Sequence, residues 1–202
     1  MGTDAMRLGI FGGTFDPPHL GHLILAAEAQ SQLALDRVLW VPAGQSPFKM
    51  DCPLTPIALR LAMVEAAIAG QPTFGLSRVD VDRPPPHYTV DTVTLLAQAN
   101  PEASWWYLMG ADTLRDLPRW RRPQVILEYC RLAVAPRPGV GVKLAELERE
   151  LPGLENRVDW LDTPLMDIAA RELRSRVRDG RPIRYLVPEA VRQIILHKGL
   201  YQ

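Results

Sequence analysis

His19 and His22 stand three residues apart at the end of the stretch "GIFGGTFDPPHLGH", with Gly21 between them. Three glycines, two prolines and two of the chain's four histidines fall between Gly12 and His22. On a helix, a spacing of three puts both imidazoles on one face, from which both can reach one phosphate. Gly12 and Gly13 follow a short apolar run, so an anion can approach the main chain there with no Cβ in the way. A loop that leaves a strand and enters a helix also presents unpaired backbone N–H groups and the positive end of the helix dipole. The expected chemistry is the binding of a phosphate-bearing ligand. The stretch matches neither G-x-x-x-x-G-K-[ST] nor G-x-G-x-x-G. Two other readings of the histidines stay open on the residues alone, capping or packing of the turn and a metal pair. Zinc would want a third ligand at fixed spacing, no H-E-x-x-H is present, and no metal site is expected.

The elements that must hold these groups alternate in type. Leu8 to Phe11 reads as a strand and Leu20 to Leu35 as a helix, and Arg37 to Pro42 as a second strand completing a right-handed βαβ unit. A helix over Pro56 to Ala69, a strand over Phe74 to Val81, a helix over Thr89 to Ala99 and a strand over Trp105 to Met109 continue the pattern. Pro123 to Glu128 reads as a short helix and Arg131 to Ala135 as a strand. The tail reads as a helix over Lys143 to Leu151, a strand over Arg157 to Leu161, and helices over Ile168 to Arg178 and Pro188 to Lys198. Such alternation predicts an α/β fold with a doubly wound, mostly parallel sheet covered on both faces. Ligands bind such sheets at the carboxyl ends of the strands. Gly12-Gly13, Pro42 to Gly44, Gly110 to Asp112 and Pro136 to Gly139 all fall there.

At 202 residues the chain suits one domain over 1–202, with 165–202 a small helical C-terminal part. Size alone demands no oligomer, and a homo-oligomer stays open. Basic and acidic residues balance at 23 each, which disfavours nucleic acid as a partner. Cys52 and Cys130 form no CxxC, no apolar run approaches the roughly 20 residues of a membrane span, and no secretion signal is visible. A cytoplasmic location is expected.

"GGTFDPPHLGH" resembles the signature of the HxGH nucleotidyltransferases, and the chain is similar over nearly its whole length to the bacterial nicotinate-mononucleotide adenylyltransferases, through "VPAGQSPFK", "HYTVDT", "MGADTLRDLPRW", "APRPG" and "IILHKGLY". The resemblance implies a Rossmann-like nucleotidyltransferase fold. It also implies transfer of the adenylyl group of ATP to nicotinate mononucleotide, with Mg²⁺ carried by the ATP. His19, His22 and Arg174 would then be catalytic. Gly12, Gly13, Thr14, Phe15, Lys49, Ile168 and Arg171 would hold the ATP phosphates. Tyr88, Thr89, Gly110, Asp112, Trp120 and Arg137 would hold the nicotinate nucleotide, with the backbone at Tyr88 and Thr89 receiving the carboxylate and Trp120 stacking on the pyridine. Trp105 and Trp106 read as packing residues.

The chain departs from the family's usual pattern at Phe48, which precedes Lys49 in place of a histidine, and at Ala169 and Arg171, which replace a serine and a threonine. A compensated and a weakened ATP site both stay open at those positions. So do phosphopantetheine or nicotinamide mononucleotide as acceptors, and a non-catalytic nucleotide-binding protein of the same fold.

Overall fold

Successive residues of the central strands enter opposite cores. In β4 (Ser104–Gly110), Trp105, Tyr107 and Met109 join one buried cluster, while Trp106 and Leu108 join another. A strand apolar on both faces must be covered on both sides. The computed structural model describes residues 5–44 and 54–202, and there the strands β1 (Arg7–Gly13), β2 (Arg37–Pro42), β3 (Phe74–Leu76), β4, β5 (Cys130–Ala135) and β6 (Val158–Trp160) make one sheet. Its order is β3-β2-β1-β4-β5-β6 and every pairing is parallel.

The helices are α1 (Leu20–Gln32), α2 (Ile57–Ile68), α3 (Thr89–Ala99), α4 (Ala111–Arg115), α5 (Pro123–Tyr129), α6 (Leu144–Glu150), α7 (Ala170–Arg178) and α8 (Glu189–His197). Val90, Val93, Ile126 and Leu127 of α3 and α5 pack on one face of the sheet, and Ala26 and Ala29 of α1 on the other. The α7–α8 part has its own small core of Leu173, Ile183, Val187, Val191 and Ile195, closed by Met63 of α2. Among the described residues no helix is long and apolar enough to cross a membrane.

The strand order reverses between β1 and β4, and at such a reversal the loops above the strands diverge and leave a crevice. Its floor is the ends of β1 and β4, at Gly13 and Gly110.

Four local readings change. β1, expected to stop at Phe11, runs on through Gly12 and Gly13, which pair with Val41 and Pro42 of β2. β3 stops at Leu76: the Ser77 amide still reaches the Trp40 carbonyl of β2, and the residues after it turn away to build the Asp80–Arg83 corner. The segment after Gly110, expected as loop, coils into α4 with Gly110 in extended conformation at its N-cap. α1 ends at Gln32, where the Leu33 and Leu35 amides fold back onto the Ala29 and Gln30 carbonyls and Ala34 takes a positive φ of 47°.

Candidate active site

α1 begins where β1 and its loop deliver His19 as N-cap, in extended conformation, and His22 one turn on. The two rings stack at 3.6 Å between centroids and 23° between planes. The His19 amide donates to His22 Nδ1 at 3.1 Å, so the proton of a neutral His22 ring sits on Nε2. His19 is buried, and its Nδ1 is a buried atom with no hydrogen-bond partner. Burial first, and the nearby Arg137 charge second, push His19 from 6.5 down to about 4. At neutral pH it is an uncharged imidazole kept out of water.

The glycines serve packing more than open space. A Cβ on Gly12 would collide with the Tyr107 hydroxyl, and one on Gly13 would lie 2.9 Å from the Phe15 ring. Gly21 leaves room for the His19 ring, which a Cβ would approach to 3.2 Å. All three glycines line the cleft, and the protein's own aromatic groups occupy the space where a Cβ would stand. Phe15 is itself buried against Phe11, Trp40 and the His22 ring, with a positive φ of 49°.

A cleft of about 490 Å³ runs from Gly12, Gly13, Thr14, His19 and His22 to Tyr88, Thr89, Gly110, Asp112 and Trp120. Arg137, Ile168 and Ala169 complete the rim. Arg137 Nη1 pairs with Asp112 Oδ2 at 2.7 Å, so these two expected site residues hold each other. Trp120 and Tyr107 form a T-shaped pair, 5.8 Å between centroids and 84° between planes. Trp105 and Trp106 are both buried, and Trp106 Nε1 donates to Asp159 at 2.8 Å.

Arg171 and Arg174 stand apart from that cleft, in a neighbouring depression on α7 with Ser175 and Arg178. Arg174 Nη1 donates to the Asp16 backbone carbonyl at 2.7 Å, which ties α7 to the glycine loop. Ala169 is the N-cap of α7 and supplies no side-chain cap. Lys49 and Phe48 lie outside the described residues.

Several residues of the site were not singled out in the sequence. Arg60, only 1% exposed, donates to the Thr14, Ala43, Gly44 and Thr55 carbonyls at 2.7–2.9 Å and so splices the loops after β1 and β2. Its signal was a lone charge on the apolar face of "PIALRLAMV", beside Leu61 and Val64. Beneath Tyr88, Arg83 donates to Asp80 Oδ1, the Thr92 hydroxyl and the Tyr88 carbonyl, and this buried knot fixes the start of α3. Arg121 lies 4.5 Å over the Tyr88 ring at the cleft mouth. His87 also lines the cleft, its ring filling the space beside Gly44.

The profile of the cytidylyltransferase-like family matches residues 10–176. A protein of Thermomicrobium roseum described as a probable nicotinate-nucleotide adenylyltransferase is 50% identical over 97% of this chain and 92% of its own length. One of Roseiflexus sp., described in the same words, is 45% identical over 96% of this chain and 98% of its own. In fold, the Plasmodium falciparum nicotinic acid mononucleotide adenylyltransferase complexed with NaAD superposes with a TM-score of 0.80, at 17% identity and 97% coverage of both chains.

Proposed function

The chain belongs to the cytidylyltransferase-like family, and from that premise we propose that its cleft transfers the adenylyl group of ATP to nicotinate mononucleotide, giving nicotinic acid adenine dinucleotide and pyrophosphate. It is a nicotinate-nucleotide adenylyltransferase of NAD biosynthesis. One observation carries the reading: the stacked His19–His22 pair and the helix start at Tyr88–Thr89 open into the same cleft, on either side of the reversal in strand order. Two helix N-termini facing one crevice suit two anionic substrates.

A phosphate oxygen of nicotinate mononucleotide attacks the α-phosphorus of ATP. The bond from that phosphorus to the bridging oxygen breaks, and pyrophosphate leaves with the electron pair. No protein nucleophile is needed, so the acceleration comes from positioning and from donors aimed at developing charge. His22 donates from Nε2 to the reacting phosphate. His19, neutral before ATP arrives, brings a buried imidazole whose affinity for a proton rises beside the triphosphate. The main chain of Gly12 to Phe15 and the Thr14 hydroxyl hold phosphate oxygens, and Arg174 braces that loop from behind.

At the other end, the α3 N-terminus receives the nicotinate carboxylate, Trp120 offers its ring to the pyridine, and Asp112 accepts from ribose hydroxyls while Arg137 holds it in place. Among the described residues no group of three or more His, Cys, Asp or Glu side chains converges as a metal cage. The donors lining the cleft suit phosphate, and Mg²⁺ would enter with ATP as part of the substrate.

The test is pyrophosphate release from ATP and Mg²⁺ with nicotinate or nicotinamide mononucleotide as acceptor. Release is expected with the acid. No release with either acceptor refutes the reaction, and faster release with the amide refutes the acid specificity. His22→Ala is expected to lower kcat more than tenfold, the equivalent of about 1.4 kcal/mol, with an unchanged circular dichroism spectrum. A smaller loss removes His22 from the reacting phosphate.

A further inference from the structure

The segment after α8 reaches back to the glycine loop through one side chain. Tyr201 donates its hydroxyl proton to Asp16 Oδ1 at 2.6 Å, a length typical of a hydrogen bond to a charged acceptor. Asp16 is buried, at 3% exposure. Its second oxygen, Oδ2, accepts the Thr55 amide at 3.3 Å, and its backbone carbonyl accepts Arg174. Arg60 binds the carbonyls of Thr14 and Thr55 on either side of this junction. Through its carboxylate and its backbone carbonyl together, Asp16 therefore joins the loop that follows β1 to Tyr201, the entrance to α2 and the arginine of α7.

Tyr201 makes the contact at a cost. Its φ of 68° lies in the left-handed region, where a bulky side chain is strained. Burial first, then the Asp16 bond, push its phenol above the ordinary value, so it remains a donor across the working pH range. The ring also packs against the α7–α8 core, which separates the two things the residue does: the ring fastens the segment, and the hydroxyl addresses Asp16.

We propose that Tyr201 is a positioning residue for ATP, its hydroxyl holding Asp16 so that the Thr14–Asp16 loop at the end of β1 and Arg174 keep the geometry that receives the triphosphate. This rests on the adenylyl-transfer reading for the identity of the substrate. Tyr201→Phe removes the hydroxyl and leaves the ring. ATP binding measured calorimetrically with Mg²⁺, together with steady-state kinetics for both substrates, tests it.

The expected result is a roughly tenfold rise in the Kd and KM for ATP, the equivalent of about 1.4 kcal/mol, with the KM for nicotinate mononucleotide changed less than about twofold, because Tyr201 and Asp16 bond neither Tyr88 nor Trp120, which are proposed to hold that substrate. Adding Tyr201→Phe to Asp16→Asn should weaken ATP binding no further than Asp16→Asn alone. An unchanged ATP affinity, an equal rise for both substrates, or additive losses overturns the proposal. If the wild-type protein releases no pyrophosphate while Tyr201→Phe still loosens ATP, the reaction reading fails and the positioning role stands.

Discussion

Lowering the pH from 7 to 5 should destabilise the unliganded protein through His19 in particular. Its folded value is about 4 against 6.5 when exposed, with burial the main cause and the Arg137 charge the second. Above pH 6.5 the ring is neutral in both states and contributes no pH dependence. Between pH 6.5 and 4 the unfolded chain binds a proton that the folded one refuses, so stability falls as pH falls. At about 1.36 kcal/mol per pH unit, the loss reaches ~2 kcal/mol by pH 5 and levels off near ~3 kcal/mol below pH 4. Carboxylates titrate in the same range, so the measurement is a difference. Urea unfolding free energies of the wild type and His19→Asn are compared at pH 7 and pH 5. Asparagine is a competent N-cap, and any packing loss it brings is a constant offset. The gap between the two proteins should move by ~2 kcal/mol in the variant's favour at pH 5. A gap that moves by less than about 0.5 kcal/mol, or in the other direction, refutes the claim that His19 is held as a buried neutral ring.

Arg60→Leu strands four carbonyls, and it should cost about 3–5 kcal/mol of unfolding free energy, read from urea midpoints. Gly12→Ala should be destabilising by about 1–3 kcal/mol because the new methyl meets the Tyr107 hydroxyl; in a Tyr107→Phe background most of that loss should vanish in thermal unfolding. Ala169→Ser supplies the side-chain cap that α7 lacks and should stabilise it by about 1 kcal/mol, and a several-fold lower KM for ATP would show that the hydroxyl also reaches phosphate. Trp120→Ala should raise the KM for nicotinate mononucleotide, with the KM for ATP left nearly constant, in initial-rate assays.

Elements with strong local signals were legible along the chain. β2 and α3 have the bounds expected of them, Arg37–Pro42 and Thr89–Ala99, because each is an apolar run closed by turn residues. β3 was overextended because Ser77 to Val81 carries strand-like residues whose path is decided by the Asp80–Arg83–Thr92 knot, a set of contacts spread over a dozen positions. α4 was missed because Gly110-Ala-Asp reads as a turn until Gly110 caps a helix. At the candidate site, His19, His22, Tyr88, Thr89, Gly110, Asp112, Trp120 and Arg137 were each legible as donors, acceptors or ring surfaces, and all line one cleft. Arg171 and Arg174, read as partners of the same phosphates, line a neighbouring depression, with Arg174 bonded to the Asp16 carbonyl, a contact between residues far apart in the chain.

The sequence by itself determined what local chemistry can encode: alternating strands and helices, a glycine-rich turn ahead of two histidines at helical spacing, and hence a phosphate-handling loop at the end of a parallel strand. Tertiary structure alone decided what depends on residues far apart in the chain. The Gly12 position is filled by Tyr107, Arg60 welds two loops through four carbonyls, His19 is buried neutral near Arg137, and Tyr201 meets Asp16. The physical reason is that hydrogen bonding and desolvation act on neighbours in space. A local pattern names the groups a residue could offer, and only the fold determines which of them are kept from water and what each one faces.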